Sequence, residues 1–507
     1  MTAVTAVGAY TPRFRISAEA FEAAWGHFQA AGISEKAVPA ADEDALTMGY
    51  EAAIRALEAA ELEGTDVDWL AFATSTPPVA EGDLTARLGA MLAVSESATR
   101  HVFTGSTRAG TRAIWAGVDA IDANASGATA LVVTADAPVG HPDGELDHAA
   151  GAGAAALVLE PDGPAHIADR AEFARPYPGT RFRNTGDDET QGLGVTQYDR
   201  RAFTQTIGGA VAELEREPDP EAAVIQAPDG KLPYRAAGAA GVDTDDIQAA
   251  ATVHDLGDLG AASVPVSLAA ALAAGTGSIL AVSYGSGAGA DAFALETAGD
   301  VPARIDLEGE DTLSYAEYLR QRGVVTTGPP SGGGAYVSVP SWQRSIPQRY
   351  RLEAGRCPDC GALSFPPTGA CDGCGTLDAA ESVELAGTGT VEAVTTISQG
   401  GAPPEFASHQ SRSGDYAAAI VALDAAADDR DRDGDENRNG NGNGNETAGA
   451  NTNGDTATPR TVSVPAMGTD AAPDAFAVGD RVETTIRRIY TQEGVTRYGF
   501  KIRPQTP

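Results

Sequence analysis

Gly151-Ala152-Gly153-Ala154-Ala155-Ala156-Leu157-Val158-Leu159-Glu160 is echoed further along the chain by Gly287-Ala288-Gly289-Ala290-Asp291-Ala292-Phe293-Ala294-Leu295-Glu296. Each copy is a glycine-alanine turn running into an apolar strand, and each closes a stretch in which strand and helix patterns alternate. An internal repeat of this size predicts two similar halves of about 150 residues. Strands alternating with helices predict a covered, mostly parallel sheet in each half. Two such halves, packed sheet to sheet around buried helices, give a duplicated five-layered α/β fold.

Outward from the first copy, Val4 to Tyr10 alternates as a strand, and an amphipathic helix is expected from about Ser17. Asp42-Glu43-Asp44 supplies an acidic start for a helix with Leu46, Tyr50, Ile54 and Leu57 on one face. Trp69 to Ala73 reads as a buried strand with the loop Thr74-Ser75-Thr76-Pro77-Pro78 at its carboxyl end. A helix from roughly Asp83 to Leu92 and a strand from Ala128 to Thr134 follow. Between them, Thr104-Gly105-Ser106-Thr107-Arg108-Ala109-Gly110 links His101-Val102-Phe103 to a periodic segment carrying Ile114, Trp115, Val118 and Ile121. This is a strand-to-helix turn that aims backbone N–H groups at whatever sits there. Acyl-thioester chemistry would place a cysteine on it, because a helix N-terminus stabilises a thiolate. The chain has Thr107 instead. A hydroxyl without an adjacent base stays protonated, so the simple role for Ser106 or Thr107 is an N-cap.

Composition narrows the function. The 507 residues predict two or three domains. The net charge is −36, from 71 acidic against 35 basic residues, and the lysines are Lys36, Lys231 and Lys501 alone. Such a surface resembles the proteins of salt-accumulating haloarchaea, where screening removes the self-repulsion. It repels phosphates and argues against nucleic acid as a partner. The longest apolar tract, Val264 to Tyr284, is interrupted by Gly275-Thr276-Gly277 and reads as a helix and a strand rather than a membrane span. Met1-Thr2-Ala3-Val4 does not begin a signal peptide. All four cysteines fall between 357 and 374, leaving none for disulfides elsewhere, which suits a reducing cytoplasm.

Several motifs now stand in one order: Gly8 to Ile16, Glu35-Lys36-Ala37-Val38-Pro39, Asp42-Glu43-Asp44, Gln226-Ala227-Pro228-Asp229-Gly230-Lys231-Leu232-Pro233, and Ala281 to Gly289. Through them the first 320 residues or so resemble archaeal hydroxymethylglutaryl-CoA synthase, in the thiolase-like superfamily of condensing enzymes. The resemblance implies a cysteine acylated by acetyl-CoA, a histidine and an asparagine that orient the second acyl-CoA, and a glutamate acid/base. At the matching positions stand Thr107, Gln226 and Asp258, and either Ser75 or Thr76 holds the glutamate's place. An amide does not titrate usefully, so Gln226 cannot serve as a base. Asp258 is a carboxylate in reach of that task by position, yet its charge disfavours a thioester oxyanion. Lys231 keeps the family's place near the CoA entrance, where it either contacts a CoA phosphate or caps a surface turn. Tyr284 to Gly289 leads from one strand into another, so it reads as close backbone packing rather than a dinucleotide loop. His27, His101, His141, His148, His166, His254 and His409 have no ligand-like spacing, although His254 precedes Asp258 closely enough to lie near the site.

After a short helix at Tyr315 to Arg320, Gly328-Pro329-Pro330-Ser331-Gly332-Gly333-Gly334 reads as a linker. Cys357-Pro358-Asp359-Cys360 and Cys371-Asp372-Gly373-Cys374 then form two Cys-x-x-Cys knuckles, the spacing of a closed, structural zinc site; two disulfides are the competing arrangement. Short strands at Gly387–Ile397, Tyr416–Leu423, Arg460–Pro465, Arg481–Ile489 and Tyr498–Ile502 suit a small OB-type barrel. Residues 341–507 resemble the zinc-ribbon/OB-fold family of acyl-CoA-associated proteins, which implies docking on a thiolase. The expected domains are 1–165 and 166–322 (the two thiolase-like halves), 323–345 (linker), 346–380 (zinc ribbon) and 381–507 (OB-fold). Asp, Asn, Gly and Glu dominate 424–458, which is expected to be a disordered loop.

The expected function is an acyl-CoA-binding, synthase-like subunit, non-catalytic or catalytically altered, that assembles with a thiolase (acetyl-CoA acetyltransferase) and forms a homodimer through its thiolase-like part. The alternatives are an active acyltransferase with Thr107 or Ser106 as nucleophile, and a carrier of CoA or lipid. The expected cofactors are structural zinc and a CoA thioester.

Overall fold

In chain order the first strands are β1 (Ala3–Tyr10), β2 (Phe14–Ser17), β3 (Glu35–Val38), β4 (Trp69–Ala73), β5 (Thr99–Phe103), β6 (Ala130–Asp136), β7 (Gly153–Glu160), β8 (Ala165–Ala174), β9 (Ala222–Ile225), β10 (Ser278–Gly285), β11 (Gly289–Thr297), β12 (Ala303–Asp306) and β13 (Asp311–Thr312). The computed structural model describes residues 2–123, 127–216, 219–326, 339–398, 400–426, 461–492 and 494–505. It separates into two compact units, Met1–Gly328 with Ser411–Ser413, and Pro329–Gln410 with Gly414–Pro507. Most of the expected linker, and the expected loop from residue 427 onward, lie outside the described residues.

The repeat quoted above becomes β7 and β11, which hold equivalent places in the first unit. A ten-stranded sheet runs β5-β4-β6-β7-β1-β8-β11-β10-β9, with β12 beside β1. β5, β4 and β6 are parallel, as are β9 and β10. β7 is antiparallel to β6 and β1, and β11 is antiparallel to β10 and β8. The halves join where β1 meets β8, over the pairs Ala3↔His166 and Val4↔Ala165. The expectation of mostly parallel sheets is therefore corrected for the glycine-led strands. The β10–β11 connection is a hairpin, too short for the crossover that a parallel pair requires.

Side-chain alternation sorts the second half into layers. Ala222, Val224, Ile279 and Ala281 face a core shared with the helices Ala109–Ala123 and Ser263–Ala273 and with Ala71, Val132 and Leu157 of the first half. Their neighbours Ala223, Ile225, Leu280, Val282 and Tyr284 face the helices Thr196–Ala212 and Leu232–Ala240. On the far side of the first half, helix Ala45–Ala60 packs on β1, β6 and β7. Five layers result. That helix starts at Asp44, whose carboxylate accepts from Leu46 and Thr47 amides while Thr47 returns a bond to the Asp44 amide. Its buried face is not the expected one: Gly49, Ala52, Ala53 and Ala56 are buried with Leu46 and Leu57, and Tyr50 and Ile54 are only half-buried. Small residues win because β1 approaches so closely that a Cβ on Gly8 would lie 2.3 Å from the Ala52 carbonyl oxygen.

The second unit carries β14 (Glu353–Arg356), β15 (Leu363–Ser364), β16 (Glu381–Ile397), β17 (Tyr416–Ala425), β18 (Thr461–Met467), β19 (Arg481–Gln492) and β20 (Val495–Pro504). Antiparallel pairing runs β15-β14-β16-β17-β18, and β19 joins β16 to β20. A parallel bridge between Gly468, just past β18, and Ile502 of β20 brings the pairings back around through β19 to β16. Leu385, Val391, Val421, Val464, Val482 and Ile502 form its core. Among the described residues no helix is long and apolar enough to cross a membrane.

Candidate functional site

The turn after β5 buries Thr107, which is 4% exposed. Its hydroxyl donates to the Tyr284 carbonyl at 2.6 Å, so its proton rests on an amide oxygen, which is not a general base. Ser106 Oγ accepts weakly from the Arg108 amide at 3.3 Å, and the Ser106 carbonyl accepts from Ala109 N at 3.0 Å. The N-cap expectation is corrected for Thr107: its side chain ties the turn to β10 instead of closing its own helix. Arg108 secures the same junction by pairing with the fully buried Asp291 of β11, with Nε 3.1 Å from Oδ2. Thr111 Oγ1 donates to that carboxylate at 2.7 Å. Asp291 is the polar residue that distinguishes the second copy of the repeat from the first.

The other family positions gather around the segment Gly257–Ala262. Gln226 is 1% exposed, and its Nε2 donates to the Gly260 carbonyl at 2.9 Å while its Oε1 has no partner among the described residues. Asp258, 2% exposed, accepts from the Gly260 amide at 2.9 Å through Oδ1 and pairs with Arg181 through Oδ2. Both oxygens are thus engaged, which corrects the reading of Asp258 as a base in waiting. Ser75 and Thr76 both turn to Asp136, a fully buried carboxylate. Asp136 accepts from the Thr76 hydroxyl at 2.6 Å, the Ser75 hydroxyl at 2.5 Å, both their amides at 2.8 Å and the Ala261 amide at 2.6 Å. Gly260 makes this packing feasible: it has φ +56°, and a Cβ there would lie 2.2 Å from Asp136 Oδ2. The sequence positions for Gln226, Asp258 and the Ser75–Thr76 loop are therefore brought together; Thr107 joins them through β10, where the Gln226 amide donates to Val282.

Sequence reasoning missed the arginines that complete this arrangement. Arg181 neutralises Asp258, and Arg183 donates to the Ser75 carbonyl at 2.6 Å. Their stretch, 175–195, is neither strand nor long helix and carried no periodic signal. His254 is engaged elsewhere, with Nε2 2.7 Å from the Tyr234 hydroxyl and Nδ1 2.6 Å from the Gly32 carbonyl. Lys231 begins the helix Leu232–Ala240, with its amide held by Asp229 at 2.6 Å. The residue is exposed, and among the described residues its ammonium has no acidic partner.

A second polar cluster was also missed, although its signal was present: Lys36 is one of three lysines and sits in a quoted motif. It is fully buried, donates to the Asp147 main-chain carbonyl and lies 3.0 Å from the Tyr318 hydroxyl. The rings of Phe21 and Tyr318 face its ammonium at 5.0 and 4.7 Å. Burial, partly offset by Asp147, lowers its pKa to about 8. The Asp147 carboxylate is held by the Tyr318 hydroxyl at 2.8 Å and Arg322 at 2.6 Å.

In the second unit Cys357, Cys360, Cys371 and Cys374 place their four Sγ atoms within 4.8 Å of one another. Cys357 and Cys374 are 3.6 Å apart and Cys360 and Cys371 3.5 Å, too far for disulfide bonds. A tetrahedron with metal–sulfur arms of about 2.3 Å has edges of about 3.8 Å, so the group fits a closed S₄ shell. The Cys374 amide, and after it the Gly373 amide, pull the half-buried Cys371 thiol down to about 6, toward the thiolate that a metal needs. With no open position, the metal site is structural.

Comparison with known proteins agrees with this geometry. The hydroxymethylglutaryl-CoA synthase of Methanopyrus kandleri is 32% identical over 349 residues, covering 64% of this chain and 95% of its own. That of Methanosphaera stadtmanae is 28% identical, covering 64% and 99%. Among solved structures, "MvaS in complex with 3-hydroxy-3-methylglutaryl coenzyme A" superposes with a TM-score of 0.55 at 17% identity, covering 66% of this chain and 94% of that one. An HMG-CoA synthase complexed with CoA gives 0.56 at 15% identity over the same shares. Both establish the thiolase-like fold of the first unit. Residues 344–378 match the family described as "ChsH2, rubredoxin-like zinc ribbon domain".

Proposed function

The chain belongs to the hydroxymethylglutaryl-CoA synthase family, and from that premise we propose that it binds an acyl-CoA without condensing it, as a subunit of an assembly with a thiolase. The observation that carries this reading is the state of the nucleophile's position. Thr107 keeps its proton and donates a hydrogen bond to a main-chain carbonyl, Gln226 is an amide, and Asp258 is neutralised by Arg181. Nothing in that set takes a proton from the hydroxyl, so an acyl-enzyme does not form. Binding makes fewer demands. CoA is polyanionic, and Lys231 is an exposed cation that has no acidic partner among the described residues, in a chain of net charge −36.

The second unit supports the assembly half of the proposal. We read its returning ring of strands as an OB-type barrel, its metal as zinc, and the unit as the docking module that the zinc-ribbon resemblance implies. The thiolase-like unit is proposed to form a homodimer.

The test has three parts. Incubation with acetyl-CoA and acetoacetyl-CoA is expected to release no free CoA and to leave no acyl adduct on the peptide carrying Ser106 and Thr107; an adduct lost in Thr107→Ala would establish the acyltransferase alternative. Calorimetric titration with CoA is expected to show binding that Lys231→Ala weakens several-fold. Purification of the tagged chain from its native cells is expected to bring a thiolase with it; a free homodimer whose yield ignores the thiolase's presence would defeat the assembly proposal.

A further inference from the structure

From residue 339 to 352 the chain has no Asp or Glu, although it holds 71 in all. The stretch forms the helices Val339–Arg344 and Ile346–Arg351 of the second unit, joined at Ser345. Trp342, Ser345 and Arg349 follow one another at spacings of three and four, which sets them on one side. Ser345 Oγ donates to the Trp342 carbonyl at 2.7 Å and accepts from Arg349 Nε at 3.0 Å. The second of these helices packs on β20, whose Arg497 guanidinium lies over the Trp342 ring, 4.2 Å from its centroid. Arg497 is 9% exposed, and neither its Nε nor the Trp342 Nε1, both buried, has a hydrogen-bond partner. Among the described residues neither Arg497 nor the half-buried Arg349 meets a carboxylate. Elsewhere in the unit Arg351, Arg481, Arg487 and Arg503 each hold one. A buried donor left without an acceptor destabilises the fold. In a chain of net charge −36, two arginines around one aromatic ring without acidic partners call for an acceptor from outside.

We propose that Trp342, Arg349 and Arg497 receive an acidic segment of a partner protein, with its carboxylates on the two guanidiniums. The proposal rests on the reading of the second unit as a docking module for a thiolase. A guanidinium presents a planar fork of N–H groups that matches the two oxygens of a carboxylate, and tryptophan with arginine is the composition of interface hot spots. A phosphate cradle would add amides from a glycine-rich turn, and residues 342–349 contain no glycine.

Two measurements on the full-length, metal-loaded chain test it. In the first, fluorescence anisotropy follows a labelled peptide of alternating Glu and Gly beside one of alternating Gln and Gly. The Glu peptide is expected to bind, although the chain as a whole repels anions, and the Gln peptide is not. Arg497→Met and Arg349→Met are each expected to weaken binding about tenfold with metal content unchanged; should Arg497→Met lose metal, Arg349→Met carries the test. Arg497→Lys keeps the charge without the fork and is expected to weaken binding several-fold. In the second, the tagged chain is purified from its native cells: the wild type is expected to bring the thiolase, and Arg349→Met/Arg497→Met to leave it behind. A double variant that retains the thiolase at wild-type yield overturns the proposal while the docking reading stands. A wild type that brings no thiolase defeats that reading, and the peptide titration then decides the proposal alone. In either case, absence of Glu-peptide binding, or binding that both variants leave intact, overturns it. Inorganic phosphate that displaces the Glu peptide at equal concentration does the same, because it identifies a small-anion site.

Discussion

Replacing Lys36 by methionine tests the polar cluster of the first unit. An ordinary lysine titrates at 10.5, and Lys36 in its burial among Phe21, Tyr318 and Asp147 titrates at about 8. Above 10.5 both the folded and unfolded chains hold this lysine neutral. Between about 8 and 10.5 the unfolded chain binds a proton that the folded chain does not, so stability rises with pH across that window. Below about 8 both are protonated, and the fold carries the cost of a buried cation. The difference between the ends of the window is roughly 3 kcal/mol. Methionine keeps the length and apolar character of the stem and cannot titrate. Denaturant unfolding of the wild type and Lys36→Met at neutral pH and at pH above 10 isolates the term, because the tyrosines and cysteines that also titrate there are common to both proteins. The wild type is expected to gain about 3 kcal/mol relative to the variant as pH rises. Because the site is buried, molar salt should leave most of that gain in place. Parallel stability profiles for the two proteins would refute the reasoning and mean that Lys36 is hydrated or paired as an ordinary lysine.

Arg181→Ala strands Asp258 as a buried charge and is expected to cost about 3 kcal/mol in denaturant unfolding, with Arg181→Ala/Asp258→Asn recovering most of the loss. Gly260→Ala places a methyl group against the Asp136 carboxylate at a left-handed backbone angle, so a loss of at least 1–3 kcal/mol is expected by the same measurement; an unchanged midpoint would mean that the loop moves freely. Strong chelation is expected to release one metal ion per chain, measured by colorimetric titration, and to increase proteolysis within the second unit while the first stays protected. Equal loss of protection in both would show that the metal supports more than its own unit.

Where local pattern decides structure, the sequence was readable. Trp69–Ala73 is a strand because a five-residue apolar run has to be covered on both faces. The helix at Ala45 starts where Asp44 offers its carboxylate to free amides. The four cysteines are close because two tight knuckles present them as pairs. The helix face through Tyr50 and Ile54 was misjudged because hydrophobic size was taken as the guide to burial, whereas the approach of β1 set a steric limit that only Gly and Ala satisfy. The candidate site was legible as a list of positions, since Thr107, Gln226 and Asp258 follow from motif order. Its electrostatics were not, because Arg181 arrives from a stretch with no periodicity and meets Asp258 across 77 positions of sequence.

By itself the sequence determined the duplicated α/β plan, the metal ligands, and the absence of a thiol at the turn after β5. These depend on residue identity, spacing and period, which are local properties of the chain. Only the tertiary structure decided that the Thr107 hydroxyl is hydrogen-bonded to the Tyr284 carbonyl, that Asp258 is neutralised, and that Lys36 is enclosed by aromatic rings. Each of these is a matter of which distant groups share a few ångströms and how much water remains between them, and burial and partnership fix the energy of a polar group far more than its identity does.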